Sequence, residues 1–421
     1  MKKPFTYLWL IFFGIALGFS CQKTVVPANN DNSNIHFFGG DQQSYGNVIR
    51  PTKDGGFIIC GATNSFGAGS FDVYIIKLDK NLNTMWRHTY GGPFSDIGND
   101  ITETMDGGYL AVGGTYNGID PITNQPSKVQ IEYIVKINAD GNEEWEKRYN
   151  ISSTKNPSID VGGSQAYGVY ARPDGNFEIM GIGTFITGIT KGTFSSEPMI
   201  LTLDNNGNEI DSGFSPNAKL VLGSLFSALS VSNSLKICNG IYQSDNNSPF
   251  YPTISVFNAK DSFLRDYKYT SGLNGLYNIQ KGSIISLTDS GYFIAFTIGS
   301  GFGSAIEIVK TGTDFKSVWD KTLPNSANKT IAKIKKNGYN EIIIAYTLNN
   351  VKPAIGIMKL DLNGSVLWDK TYGGTTSTAA YDLCTDANNN IVVLGTNATF
   401  TQGNYNINVF RISSNNGEII K

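Results

Sequence analysis

The sequence predicts an all-β fold of about seven four-stranded blades in a ring, closed by an N-terminal strand that pairs with the last blade. Three observations predict it. Glycine supplies 47 of 421 residues and charged residues only 16%, so turn formers are plentiful. Short β-branched and aromatic runs alternate with Gly- and Asn-rich turns. One stretch, 54–92, recurs in degraded copies along the chain, each about 50 residues long and holding about four strands, the signature of a β-propeller blade.

Within that stretch, Asp54-Gly55-Gly56 is a hairpin turn, because glycine supplies the positive φ a tight turn needs. Phe57-Ile58-Ile59-Cys60 is a continuous apolar run, as expected of a strand buried on both faces. A polar loop follows, then a second β-rich run from Val73 to Leu78. Asp79-Lys80-Asn81 turns the chain into a last strand where Trp86, His88 and Tyr90 share one face at period two. A further strand precedes each DGG turn, at 47–50 in the first copy and 98–102 in the second.

Later copies keep different parts of the pattern. The second has Asp106-Gly107-Gly108-Tyr109 and Trp145; the third has Asp174-Gly175-Asn176-Phe177. The fourth lacks the tryptophan, the fifth ends on Trp319, and the sixth closes as Asn363-Gly364-Ser365-Val366-Leu367-Trp368. The seventh has almost no outermost strand, and residues 34–40 copy the closing run 85–92 with no earlier strands of their own. Pairing first with last removes the edge an open sheet would expose.

The pattern DGG[FY]…KLDxNGxxxWxKTYGG resembles the repeats of bacterial secreted and surface-anchored propeller proteins. Its closing part, 359–368, is also similar to the tryptophan-docking repeat of quinoprotein propellers, where the tryptophan is structural and implies no cofactor. The resemblance spans nearly the whole chain after residue 33 and implies architecture, not activity.

The N-terminus speaks to address. Lys2-Lys3 is a positive start, 5–17 an apolar run short for a bilayer span, and Leu17-Gly18-Phe19-Ser20-Cys21 ends it. This resembles the lipobox of bacterial lipoproteins, which implies a signal peptide over 1–20, acylation of Cys21, a flexible tether at 21–33 and one propeller domain at 34–421. Gly18 stands where that family prefers Leu, and an ordinary signal peptide cut near Ser20 is the alternative. The expected address is the outer membrane of a Gram-negative cell, on either side. The formal charge of −2 offers no field for nucleic acid.

Motif chemistry is sparse. Cys60, Cys238 and Cys384 sit in apolar runs and read as small buried hydrophobes. His36 and His88 take equivalent outer-strand places, where packing is the expected role. No cysteine or histidine cluster has metal-ligand spacing, the Asp/Asn/Gly turns are too short for a calcium loop, and no nucleophile or phosphate motif occurs. No metal, cofactor or catalytic residue is expected. Loops joining second to third strands emerge on one face, at 64–71, 116–129, 184–197, 243–252, 298–304 and 397–405. They carry Phe66, Phe71, Tyr116, Asp120, Phe185, Phe250, Tyr251, Phe302 and Tyr405 among Gly, Ser, Asn and Thr, a composition suited to glycan or peptide. The expectation is a non-catalytic binding module for a glycan, a peptide or an outer-membrane protein. The alternatives are an accessory subunit, like the propeller lipoprotein of outer-membrane-protein assembly, and a quinone-dependent or carbohydrate-active enzyme.

Overall fold

The computed structural model describes residues 34–116, 130–149, 161–186, 194–214, 227–232, 235–242, 251–258, 263–269, 282–287, 291–299, 303–373, 377–398 and 404–421. The strands make seven antiparallel sheets. Six are blades of four consecutive strands, spanning 44–90, 96–149, 161–214, 227–268, 282–322 and 329–373. The seventh joins the strands Thr378–Thr385, Ile391–Ala398 and Tyr405–Ile412 to both ends of the chain. First strands of neighbouring blades touch at all seven boundaries, last to first included, so they surround the axis of a closed β-propeller.

Closure follows the sequence pattern and adds to it. Ile35–Phe38 pairs with the third strand of the last blade, from Ile35 opposite Phe410 to Phe38 opposite Ile407. On the same edge Ile419–Ile420 takes the two remaining places, opposite Ile412 and Arg411. The outermost strand is thus assembled from both chain ends, where the pattern assigned it to the N-terminal segment. Two C-terminal residues are too few to show as a strand in sequence.

Among the described residues, five blades begin with the expected hairpin turn. In the first, Thr52 N–H donates to Gly56 O (2.9 Å), Gly56 N–H donates to Asp54 Oδ1 (2.9 Å), and Gly55 has φ of 81°. Asn340 and Asn389 take the same place with φ of 60°, a conformation asparagine tolerates better than most residues. The second and third strands, Phe57–Thr63 and Asp72–Leu78, are buried at every residue, as continuous apolar runs require. One side packs against the second blade, with Cys60 and Ile75 beside Ile101 and Val135; the other meets Leu394 and Val409 of the seventh. Cys60 and Cys384 are buried free thiols.

The structure also explains the repeated Lys of KLD. Lys77 is buried in the third strand, and its ammonium lies 2.7 Å from Asp54 of the DGG turn. Lys136 with Asp106 (2.7 Å), Lys359 with Glu341 (2.9 Å) and Arg411 with Asp386 (3.1 Å) repeat the pair. A buried ammonium without such a partner would be costly. Burial works against ionisation of Asp54, yet Lys77, the Thr52 hydroxyl and Gly56 N–H outweigh it and bring the carboxyl down to about 2.

Five of the seven first strands carry a β-bulge at a constant place, between Gly46 and Val48, Gly98 and Asp100, Ala166 and Gly168, Ile331 and Lys333, and Ala380 and Asp382. A bulge re-aims the extra residue. Here those residues are Asn47, Asn99, Tyr167, Ala332 and Tyr381, all half-buried beside the axis.

Candidate functional site

The structure describes part of the expected loop set and distributes its residues differently. Phe66 turns inward: it packs on the core between the first and seventh blades, with Tyr74 5.9 Å away and the Arg87 guanidinium 5.7 Å above its ring. A Cβ on Gly40 would come within 2.7 Å of it, so glycine there makes room for the ring. Phe71 is half-buried, its ring 5.5 Å from Tyr45. Tyr116 and Tyr405 are exposed at 37% and 42%. Phe185 lies within the strand Phe177–Ile186 opposite Ser195, and Tyr251 begins the strand Tyr251–Asn258. The pattern placed a loop over 184–197, but pairing continues to Ile186 opposite Phe194 and leaves a shorter connection. Asp120, Phe250, Phe302 and Cys21 lie outside the described residues.

What the sequence reading missed is an aromatic set on the innermost strands. Tyr45, Tyr167 and Tyr381 stand half-buried near the loop-face ends of the first, third and seventh blades. Burial first, then the phenols of Tyr381 and Tyr116, push Tyr45 up to about 12. Burial first, then Tyr116, does the same for Tyr167, also to about 12. Burial first, and then Tyr405, raises Tyr381, against a hydrogen bond with Thr396 that lowers it. Tyr45, Tyr167 and Tyr381 thus lie within electrostatic reach of Tyr116 or Tyr405 at the loop side of the innermost strands, and Phe71 packs against Tyr45. The signal that could have found them is the half-buried aromatic next to the bulge of a first strand, as in Ala380-Tyr381.

Further along the innermost strands, charged side chains join neighbouring blades. Arg50 grips Asp100 of the next blade, Nη2 lying 2.6 Å from both carboxylate oxygens. Asp100 Oδ2 also accepts from Val169 N (3.1 Å), and Asp382 Oδ2 accepts from Ile49 N (3.0 Å), each across a blade boundary. These contacts fix neighbouring blades in height, and Asp382 Oδ1 is left buried without a hydrogen-bond partner. Among the described residues no group of three or more His, Cys, Asp or Glu is placed to hold a metal. The loop side of the innermost strands offers aromatic faces and neutral hydroxyls that donate and accept hydrogen bonds.

No protein-family model and no curated protein sequence matches the chain. Solved structures do. A puromycin hydrolase S511A mutant complexed with PGG aligns at 11% identity and a TM-score of 0.54, over 90% of this chain and 53% of the hydrolase. The chain thus spans about half the length of that enzyme. A protein of unknown function from Dyadobacter fermentans aligns at 10% identity and a TM-score of 0.51, over 89% of this chain and 96% of that one. At such identities the likeness shows the propeller fold and nothing further.

Proposed function

We propose that this chain is an exported, lipid-anchored, non-catalytic binding module that takes a glycan or peptide at the tyrosine-lined mouth of its channel. The observation that carries the reading is the set of Tyr45, Tyr116, Tyr167, Tyr381 and Tyr405. Aromatic faces stack on sugar rings or apolar side chains, and phenol hydroxyls both donate and accept hydrogen bonds. Loops on a rigid scaffold are where such sites sit. Anchoring rests on the leader and on Cys21, and the expected location is the outer membrane of a Gram-negative envelope.

Two measurements test it. On a glycan and peptide array, Tyr45→Ala with Tyr381→Ala should lose about tenfold or more in binding while melting near the parent. Equal binding by the double variant, or no ligand on any array, would remove the mouth as the site. Alkyne fatty-acid labelling should mark the wild type and spare Cys21→Ala; equal labelling would remove the anchor.

A further inference from the structure

The outermost strand of each of the first six blades carries a second constant bulge, just after the turn from the third strand. In the first blade Leu78 pairs with Thr84 and Lys77 with Trp86, leaving Met85 as the extra residue. The same shift leaves Ile210, Leu264, Val318 and Leu367 in the third, fourth, fifth and sixth blades. All five are 49–64% exposed. The seventh blade has no such bulge: Ile419 and Ile420 pair with Ile412 and Arg411, so half-buried Ile420 takes the register that tryptophan holds in the first blade. The second blade has Glu144 instead, which ion-pairs with Lys136.

That exception is informative. A carboxylate at this corner meets the buried lysine of the blade, so the fold accommodates charge there. Lys77 comes only to 3.8 Å from the Met85 sulfur at the equivalent place. Five exposed apolar side chains therefore circle the rim of the turn face where packing does not ask for them. Met105 and Tyr339, on turns between first and second strands, are exposed on the same side. Single exposed apolar residues are ordinary, but a ring of them on one face is a surface with a purpose.

The chain's own course says what covers it. Ile35–Phe38 runs from the turn side of the last blade toward the loop side, with Ile35 opposite Phe410 and Phe38 opposite Ile407. The segment before Ile35 therefore leaves beside Ile420, at the apolar rim. The tether 21–33 reaches about 45 Å at most when fully extended. A lipid on Cys21 would hold the rim within that distance of a bilayer.

We infer that the turn-face rim is a membrane-contact surface: Met85, Ile210, Leu264, Val318 and Leu367 seat the propeller on a phospholipid bilayer, with the tyrosine mouth facing away. The inference deepens the anchored-module reading, and its test is independent of acylation. Take the exported chain from residue 21, carrying Cys21→Ser, and float it with vesicles of phosphatidylethanolamine and phosphatidylglycerol. The unlipidated protein should partition onto vesicles, and Met85→Lys with Val318→Lys and Leu367→Lys should cut partitioning about tenfold or more. Tyr405→Ser, on the opposite face, should leave it unchanged. Trp86, Trp319 and Trp368 directly follow rim residues, so brominated lipid should quench the fluorescence of the parent even if the triple variant folds poorly. Failure of the Cys21→Ser protein to float, equal flotation of a folded triple variant, or absence of quenching overturns the rim. Fatty-acid labelling of wild type reports on the anchor separately, so loss of one leaves the other standing.

Discussion

Blades of this ring are joined in two ways. At the boundary from first to second, Trp86 Nε1 donates to Ala139 O (3.0 Å) and the Tyr90 hydroxyl to Gly141 O (2.5 Å). Trp145 reaches Asn205 O (3.2 Å) from second to third, and Trp368 reaches Ser414 O (3.3 Å) from sixth to seventh. In each case the receiving turn carries glycine at positive φ: Gly141, Gly207 and Gly417, as does Gly364 beneath Trp319. A Cβ on Gly141 would lie 2.6 Å from His88 and 3.0 Å from Trp86; one on Gly207 would lie 2.8 Å from Trp145.

At two further boundaries both halves change together; the receiving turn between the third and fourth blades lies outside the described residues. The strand leading from seventh to first blade has no tryptophan, and its receiving turn has Leu82 with φ of 66°, 3% exposed and packed with Phe38. From fourth to fifth, Arg265 holds the tryptophan register, and the turn has Phe315 with φ of 62°, its ring stacked 4.6 Å from Tyr292. Tyr269 still donates to Phe315 O (2.9 Å), as Tyr90 does to Gly141. One pocket is filled from either side. A large residue in the left-handed region costs of order 1–3 kcal/mol, and it is tolerated where it fills space that tryptophan fills elsewhere. The requirement is conserved volume across the joint, not tryptophan as such.

The largest expected effect comes from removing a joint entirely. Deleting 34–40 strips four strand residues, Phe38 among them, from the seventh-to-first boundary, leaving Leu82 partly wet. Each lost backbone hydrogen bond is worth roughly 0.5–1.5 kcal/mol, so the melting temperature should drop far more than on deleting 24–33, and the protein should self-associate. If both truncations melt alike and stay monomeric, the closing strand is not what holds the ring.

A reciprocal pair sharpens the comparison. Gly141→Leu should destabilise by about 3 kcal/mol or more, through strain and overlap with Trp86 and His88. Adding Trp86→Ala should recover part of that loss, which denaturant melts in a double-mutant cycle would read as favourable coupling. In mirror image, Leu82→Gly should cost about 2 kcal/mol, since the emptied pocket outweighs the relieved strain. Additive effects at both joints would mean that the two sides do not share a pocket.

The smallest effect is a pH dependence on the loop side of the joints. Between seventh and first blades that corner holds neutral Ser44 and Asn406, both touching the space above Gly39. Between second and third it holds buried Glu132, to which the Ser164 hydroxyl donates. Burial pushes the Glu132 carboxyl up to about 8. A raised folded-state value means that its contribution is complete below the unfolded value near 4.5 and is lost as pH rises through about 8. Glu132→Gln should melt higher than the parent at pH about 9 and flatten the profile between about 4.5 and 8. A profile identical to the parent's would show that this carboxyl is not what titrates.

The sequence by itself determined the architecture, because a repeat writes the same physics seven times. Continuous apolar runs had to be doubly buried strands, DGG had to turn, and a lone copy of a closing strand at 34–40 had to find the blade that lacked one. It also located the tryptophans, whose periodic return marked a packing position. Only tertiary structure could decide which residues meet across boundaries. Leu82 and Phe315 look like poor turn residues until the missing tryptophan of the preceding blade is set beside them. The ligand face divides for the same reason. Phe66 and Tyr116 have similar loop contexts in sequence, yet Phe66 is drawn over the core by Gly40 and Arg87 while Tyr116 stays in solvent. Tyr45, Tyr167 and Tyr381 come from three blades more than a hundred residues apart, and only closing the ring brings their innermost strands around one axis. Strand periodicity is local and therefore legible; volume shared between blades is not.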